Sequence, residues 1–106
     1  MKVVWAPLAV ARVAEIAAHI AEDRPAAAER WVTSLFKRVV VLGRFPQTGL
    51  VVPEVGRPNI REVHHGVYRI IYRLESNRVD ILTVRHGRRR FDPTEVDSKV
   101  SNRVDG

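Results

Sequence analysis

The spacing of apolar and polar residues changes period twice along the chain. Lys2-Val-Val-Trp5 is a short β-prone run that ends before Pro7, and Pro7 suits the first turn of a helix, where its missing N–H is no loss. From Leu8 to Glu22 the apolar residues Ala9, Val13, Ile16, Ala17 and Ile20 recur at helical spacing, with Arg12, Glu15, His19 and Glu22 mostly on other faces. Asp23-Arg24-Pro25 breaks this helix and starts another, with Pro25 as its first helical residue. The second helix carries Ala28, Trp31, Val32, Leu35, Phe36, Val39 and Leu42; Trp5, Trp31 and Phe36 read as core packing. Gly43 stands where a helix C′ residue belongs, and Pro46 follows. A turn of two or three residues between them makes a helical hairpin.

From Phe45 to Pro58 the periodicity lapses into a loop with three prolines and two glycines. Three alternating runs follow, Asn59–His64, Val67–Leu74 and Val79–Arg85, divided by Gly66 and by Glu75-Ser-Asn77. The predicted fold is α+β, in the order β-α-α-β-β-β. A helical hairpin packs on one face of a small, mainly antiparallel sheet and leaves the other face open to present polar groups. One domain is expected over 1–95, with a polar tail over 96–106 that frays.

Charge sharpens this outline. The 106 residues hold 18 Lys+Arg and 12 Asp+Glu, a net +6. Nine arginines against three acids between Arg57 and Arg90 carry all of it. Fifteen arginines to three lysines is a ratio that compositional bias explains; the clustering is not, and it points to an acidic or polyanionic partner. The chain has no cysteine, which excludes a disulfide framework and a thiolate zinc site. The N-terminal apolar run, interrupted by Pro7, Arg12 and Glu15, is too short and polar for a signal peptide or a membrane span, so a cytoplasmic protein without a membrane partner is expected.

In Val67-Tyr-Arg-Ile-Ile-Tyr-Arg-Leu74, strand alternation puts Tyr68, Ile70, Tyr72 and Leu74 on one face and Val67, Arg69, Ile71 and Arg73 on the other. Guanidinium forks on an open face are suited to phosphate. The structural alternative pairs Arg69 and Arg73 with Glu62 and Asp80 across the strands. Hairpin register matters, because a slip of one residue exchanges faces. A three-residue loop sets Arg69 opposite Thr83 and puts Arg85 on its face. A two-residue loop sets Arg69 opposite Val84 and Asp80 opposite Arg73, and brings in His86. Ser76-Asn77 is not a strong two-residue signal, which favours the longer loop.

Arg85-His-Gly-Arg-Arg-Arg-Phe91 gives the last strand a very basic exit that could hold phosphates or an acidic protein, or simply be a solvated charge run. His86 is the one histidine beside these arginines and a candidate acid or base, although a lone histidine at a strand end is more often structural. His64 and His65 are adjacent on a strand and point to opposite faces, and no HExxH spacing occurs, so neither a metal nor a cofactor is implied. Ser34 falls on a helix without a histidine–carboxylate pair.

The junction Ala21-Glu-Asp-Arg-Pro-Ala-Ala-Ala-Glu-Arg30, with Arg44-Phe-Pro-Gln-Thr-Gly49, Val67-Tyr-Arg-Ile-Ile-Tyr72 and Ile81-Leu-Thr-Val-Arg-His-Gly-Arg-Arg89, resembles the RelE/ParE superfamily over about residues 2–91. These are toxins of type II toxin–antitoxin modules, also described as plasmid stabilisation proteins. The resemblance implies a cytoplasmic toxin neutralised by a cognate acidic antitoxin, with operator DNA contacted only through that antitoxin. RelE-like members cleave mRNA on the ribosome, and in that branch Arg69 matches a strand arginine, while one of Arg88–Arg90 (Arg89 in the proposed set) matches a C-terminal arginine. That branch also places lysines on the preceding strand, where Arg61 is the only basic residue, and a tyrosine near the C-terminus, where His86 and then Phe91 stand. An arginine stays protonated and cannot serve as a base, so cleavage would fall to His86, giving a catalytic set of Arg69, His86 and Arg89. ParE-like members inhibit DNA gyrase and have a long helical hairpin, as expected here. The gyrase reading is preferred, the ribosome-dependent endoribonuclease is the alternative, and a toxin that only binds its antitoxin is a third. Arg61, Arg73, Arg85, Arg88, Arg90 and Phe91 are the expected target- or antitoxin-binding residues.

Overall fold

The computed structural model describes residues 1–89 and 92–97. Strand β1 spans Lys2–Trp5, helix α1 Pro7–Asp23, helix α2 Pro25–Arg44, then β2 Leu50–Val51, β3 Ile60–His65, β4 Tyr68–Leu74 and β5 Arg78–His86, with a short 3₁₀ turn at Pro93–Asp97. Both helices begin on the prolines named above, where a missing N–H costs nothing. Arg24 alone separates them: it lies ahead of Pro25 with φ −141° and ψ 76°, and its N–H still bonds Ile20 O at 3.0 Å. The hinge is thus one residue rather than two or three.

The sheet has five strands in the order β1-β5-β4-β3-β2, with β1 parallel to β5 and every other pair antiparallel. Both helices pack on one face, over a core of Ala9, Val13, Leu35, Val39, Leu42, Val63, Ile70, Tyr72, Val79, Ile81 and Val84. The expected alternation of β4 holds: Ile70 and Tyr72 enter this core, and Ile71 faces the other way.

Four expectations need correction. The second face is not open: Val52, Ile60, Ile71, Leu82 and Val96 form a smaller core on it, built by the loop after α2, β2 and the 3₁₀ turn. The loop over residues 45–58 contains β2. Gly43 does not cap α2; it is buried inside the helix, and a Cβ there would lie 3.0 Å from Val3 Cγ2 and 3.1 Å from Met1 O. The glycine lets β1 cross close by, with the Met1 ammonium donating to Gly43 O at 2.8 Å. Phe36 is not core: it is 46% exposed, with its ring tilted against Trp5 at 5.1 Å.

The β4–β5 register follows neither simple option. Near the turn Leu74 pairs with Val79 and Arg73 with Asp80, as a two-residue loop requires, against the longer loop preferred above. A bulge then takes in Leu82, and beyond it Ile71 pairs with Thr83, Arg69 with Arg85 and Tyr68 with His86. The inserted residue puts Arg85 beside Arg69 and turns His86 to the helix side. At the other hairpin, Gly66 takes φ 60°, a conformation that favours glycine, and Val67 sits in the turn instead of starting the strand.

Candidate functional site

On the second face three arginines of β4 and β5 lie over the smaller core, and each is held by carboxylates. The end of the Arg69 fork is taken bidentately by Glu54, with Nη1 to Oε2 at 2.7 Å and Nη2 to Oε1 at 2.9 Å. Its side is taken by Glu62, with Nε to Oε2 at 3.0 Å and a further contact from Nη2. The hydrogen bonds that Arg69 donates to Glu54 hold the Arg69 pKa above its ordinary value and the Glu54 carboxyl below the usual carboxylate range. Arg73 meets Glu75 at 2.8 Å and Asp80 at 2.9 Å, and Asp80, fully buried, also accepts from Arg78 at 2.7 Å. Arg85 reaches Glu95 at 2.5 Å, and Glu95, buried in the 3₁₀ turn, accepts as well from the Thr83 hydroxyl at 3.0 Å and from Arg12 of α1 at 3.4 Å.

The cross-strand pairs Arg69–Glu62 and Arg73–Asp80 are thus those of the structural alternative. Burial explains the pairing with carboxylates, although Arg73 Nε and Arg85 Nε are buried without a hydrogen bond among the described residues. A guanidinium removed from water is best tolerated where most of its donors are matched, and fork-on-carboxylate geometry matches them best. Two of the partners, Glu54 and Glu95, escaped the sequence reading. One lies in an irregular loop and the other in the polar stretch beyond Asp92, and no local pattern links either to the arginine it meets.

The helix side holds a different set. Tyr68 sits between Trp31 of α2, ring centroids 5.2 Å apart, and His86, 5.6 Å away and edge-on. His86 Nδ1 accepts the backbone N–H of Arg88 at 3.1 Å. A groove of about 480 Å³ runs between Ile16 and His19 of α1 and Tyr68, Val84, His86 and Arg89 of the sheet's end. At the end of β3, His65 Nε2 lies 2.9 Å from Ser34 Oγ. Because that hydroxyl donates to Trp31 O at 2.9 Å, it accepts from the imidazole, and the pair is not a nucleophile with its base. Burial, with Arg38 nearby, pushes the His65 pKa down.

Tyr72, buried under the helices, donates its hydroxyl to Pro46 O at 2.8 Å and accepts from Gly49 N at 2.9 Å. Burial pushes its pKa up, so it remains a donor. A Cβ on Gly49 would fall 2.3 Å from that hydroxyl and 2.7 Å from Glu62 O, which explains why Arg44–Gly49 ends on glycine. Arg61 donates to Gly49 O at 3.0 Å and Pro58 O at 3.1 Å, bracing the same loop.

Of the sequence-derived residues, the fold gathers Arg69, Arg73 and Arg85 on the second face and places His86 and Arg61 on the helix side. Arg88 and Arg89 are exposed beyond β5; of the tail expected to fray over 96–106, Val96 and Asp97 instead belong to the 3₁₀ turn with Val96 buried, and residues 98–106, like Arg90 and Phe91, lie outside the described residues. Among the described residues no three potential ligands converge as a metal site, and no helix is long and apolar enough to cross a membrane.

Comparison with known proteins agrees with this architecture. Residues 3–91 match the model of the family described as ParE toxin of type II toxin-antitoxin system, parDE. A solved chain from the chromosomal ParDE TA system of P. aeruginosa is similar in fold, with TM-score 0.68 and 20% identity over 81% of this chain and 95% of that one. No curated protein matches.

Proposed function

We propose that this chain, which belongs to the ParE toxin family of type II toxin–antitoxin systems, inhibits DNA gyrase and is neutralised by a cognate acidic antitoxin in the cytoplasm. One observation carries the choice of gyrase over mRNA. Arg69 and His86, two of the three residues on which cleavage would depend, leave the sheet on opposite faces. A ribonuclease needs its base and its charge stabiliser within hydrogen-bond reach of one phosphate. Here the Arg69 fork is filled by Glu54, and His86 Nδ1 is committed to the Arg88 amide. Blocking a protein target requires a surface and not a convergent acid–base pair, and helices of 17 and 20 residues supply one.

The test uses the full chain freed of antitoxin. Loss of gyrase supercoiling, with mRNA on programmed ribosomes left intact, is the expected result. Cleaved mRNA with unaffected supercoiling would overturn the proposal. His86→Gln should still arrest growth; a variant that permits growth while remaining folded would move the assignment to the nuclease reading. An acidic reading frame beside the gene, whose product restores growth on co-expression, supplies the antitoxin arm of the test.

A further inference from the structure

The basic residues beyond β5 differ from those on the second face. Arg88 and Arg89 are exposed and form no ion pair among the described residues. Nor are they a loose charge run. Gly87 N–H donates to Val67 O at 2.7 Å, Arg89 N–H to His86 O at 3.0 Å and Arg88 N–H to His86 Nδ1 at 3.1 Å. Three bonds thus fix the turn that carries both arginines. A Cβ on Gly87 would lie 3.1 Å from Val67 O, so the glycine lets this turn close against the neighbouring hairpin.

Arg89 and His86 also line the groove of about 480 Å³ between α1 and the end of the sheet. Its walls combine apolar surface from Ile16 and Val84 with the rings of His19, Tyr68 and His86. The Tyr68 hydroxyl and His86 Nε2 reach solvent and have no hydrogen-bond partner among the described residues. The one acid that lines the groove, Glu15, is paired with Arg12 at 3.2 Å.

We infer that the groove and its turn hold a single strand of DNA, with one nucleotide in the groove and neighbouring phosphates on Arg88 and Arg89. The volume falls within the roughly 300–1,000 Å³ of small-molecule sites. Rings and aliphatic walls suit the face of a base, the free hydroxyl and imidazole suit its polar edge, and guanidinium forks suit phosphate. An acidic peptide would use the arginines but has no flat group for the groove. A duplex keeps its bases stacked inside and meets the arginines alone. Contacts of this kind carry little sequence information, so the site is distinct from operator recognition. The inference rests on the gyrase reading only for the source of the strand, which is then the DNA that gyrase holds.

The test is fluorescence anisotropy on the full chain without gyrase, with a fluorescein-labelled oligo-dT of about 12 nucleotides at low salt. The single strand should bind about fivefold or more tightly than a duplex of the same length. With two phosphates engaged, log K should fall by about 1.4 for each tenfold rise in salt, and Arg89→Gln should reduce that slope by about 0.7. Arg88→Glu with Arg89→Glu should weaken binding by more than about tenfold. Lys37→Glu with Arg44→Glu, the same change of charge on α2, should weaken it by less than about threefold. Tyr68→Ala should cost about fivefold or more. His19→Glu, on an exposed wall residue, should also weaken binding and keeps the groove testable if Tyr68→Ala unfolds by circular dichroism. Equal losses from the two double variants, or equal competition by polyglutamate of matched charge, would show recognition of charge alone and overturn the inference. So would duplex binding as tight as the single strand, or oligo-rU bound about tenfold more tightly than oligo-dT. Strand binding without loss of supercoiling would overturn the gyrase reading and leave this site standing; loss of supercoiling without strand binding would do the reverse.

Discussion

On the second face of the sheet, Arg69, Arg73 and Arg85 lie over a small core and each meets at least one carboxylate. On the outer face of α2, Lys37 and Arg44 flank exposed valines and meet none among the described residues. Environment accounts for the difference. A half-buried guanidinium has lost water and is best matched by a carboxylate, and the fold supplies one from a neighbouring strand, a loop or the 3₁₀ turn. A cation on a helix surface keeps its water and needs no partner within the chain. The arginines of β4 and β5 on the second face are therefore neutralised from within, whereas Arg88 and Arg89 beyond β5 and the cations of α2 meet no carboxylate among the described residues.

The largest expected effect lies at Asp80, which is fully buried and serves both Arg73 and Arg78. Asp80→Ala leaves Arg73 without its buried partner and should cost about 3–5 kcal/mol in urea unfolding. A loss below about 1 kcal/mol would mean that water already satisfies the pair, and the contrast between the two faces would fail. Glu95→Ala comes next. It removes an acceptor shared by Arg12, Thr83 and Arg85, and should cost about 2–3 kcal/mol while loosening the 3₁₀ turn from the sheet, visible as faster amide exchange at Glu95 and Val96.

Acid should expose the same design. Glu54 and His65 both have folded-state pKa values below their ordinary ones, the first through hydrogen bonds from Arg69 and the second through burial. The unfolded chain binds more protons at both sites, so their contributions are complete above the unfolded pKa and are lost as pH falls through the folded one. Stability should decline first below about pH 6.5, as His65 is forced to charge, and again below about pH 4.3, as Glu54 lets go of Arg69. His65→Gln should flatten the first decline and Glu54→Gln the second; an unchanged profile in both variants would remove these two groups from the account.

How much was legible in the sequence follows the range of the forces involved. The helices, their prolines, the alternation of β4 and the Arg69–Glu62 and Arg73–Asp80 pairings are set by neighbours along the chain or across one hairpin, and they could be read. The bulge at Leu82 could not: nothing in Ile81-Leu-Thr83 marks an inserted residue, yet it decides that Arg85 and not His86 joins Arg69. Glu54 and Glu95 were missed because a loop and the 3₁₀ turn reach the arginines through the tertiary fold. Phe36 was assigned to the core because an α2 with apolar residues on two faces looks, in one dimension, like a helix with one wide face.

Val39 and Val40 set that last point as a test with the smallest expected effect. They are adjacent on α2, but Val39 is 2% exposed within the main core and Val40 is 61% exposed on the outer face. Val39→Ala opens space under the sheet and should cost about 2 kcal/mol. Val40→Ala removes little buried surface and exchanges a β-branched residue for the best helix former, so stability should stay level or rise by up to about 0.5 kcal/mol. If thermal unfolding instead shows a loss at Val40 close to that at Val39, the outer face is already covered in the free chain, and the helical surface offered to a protein target is occupied by the protein itself.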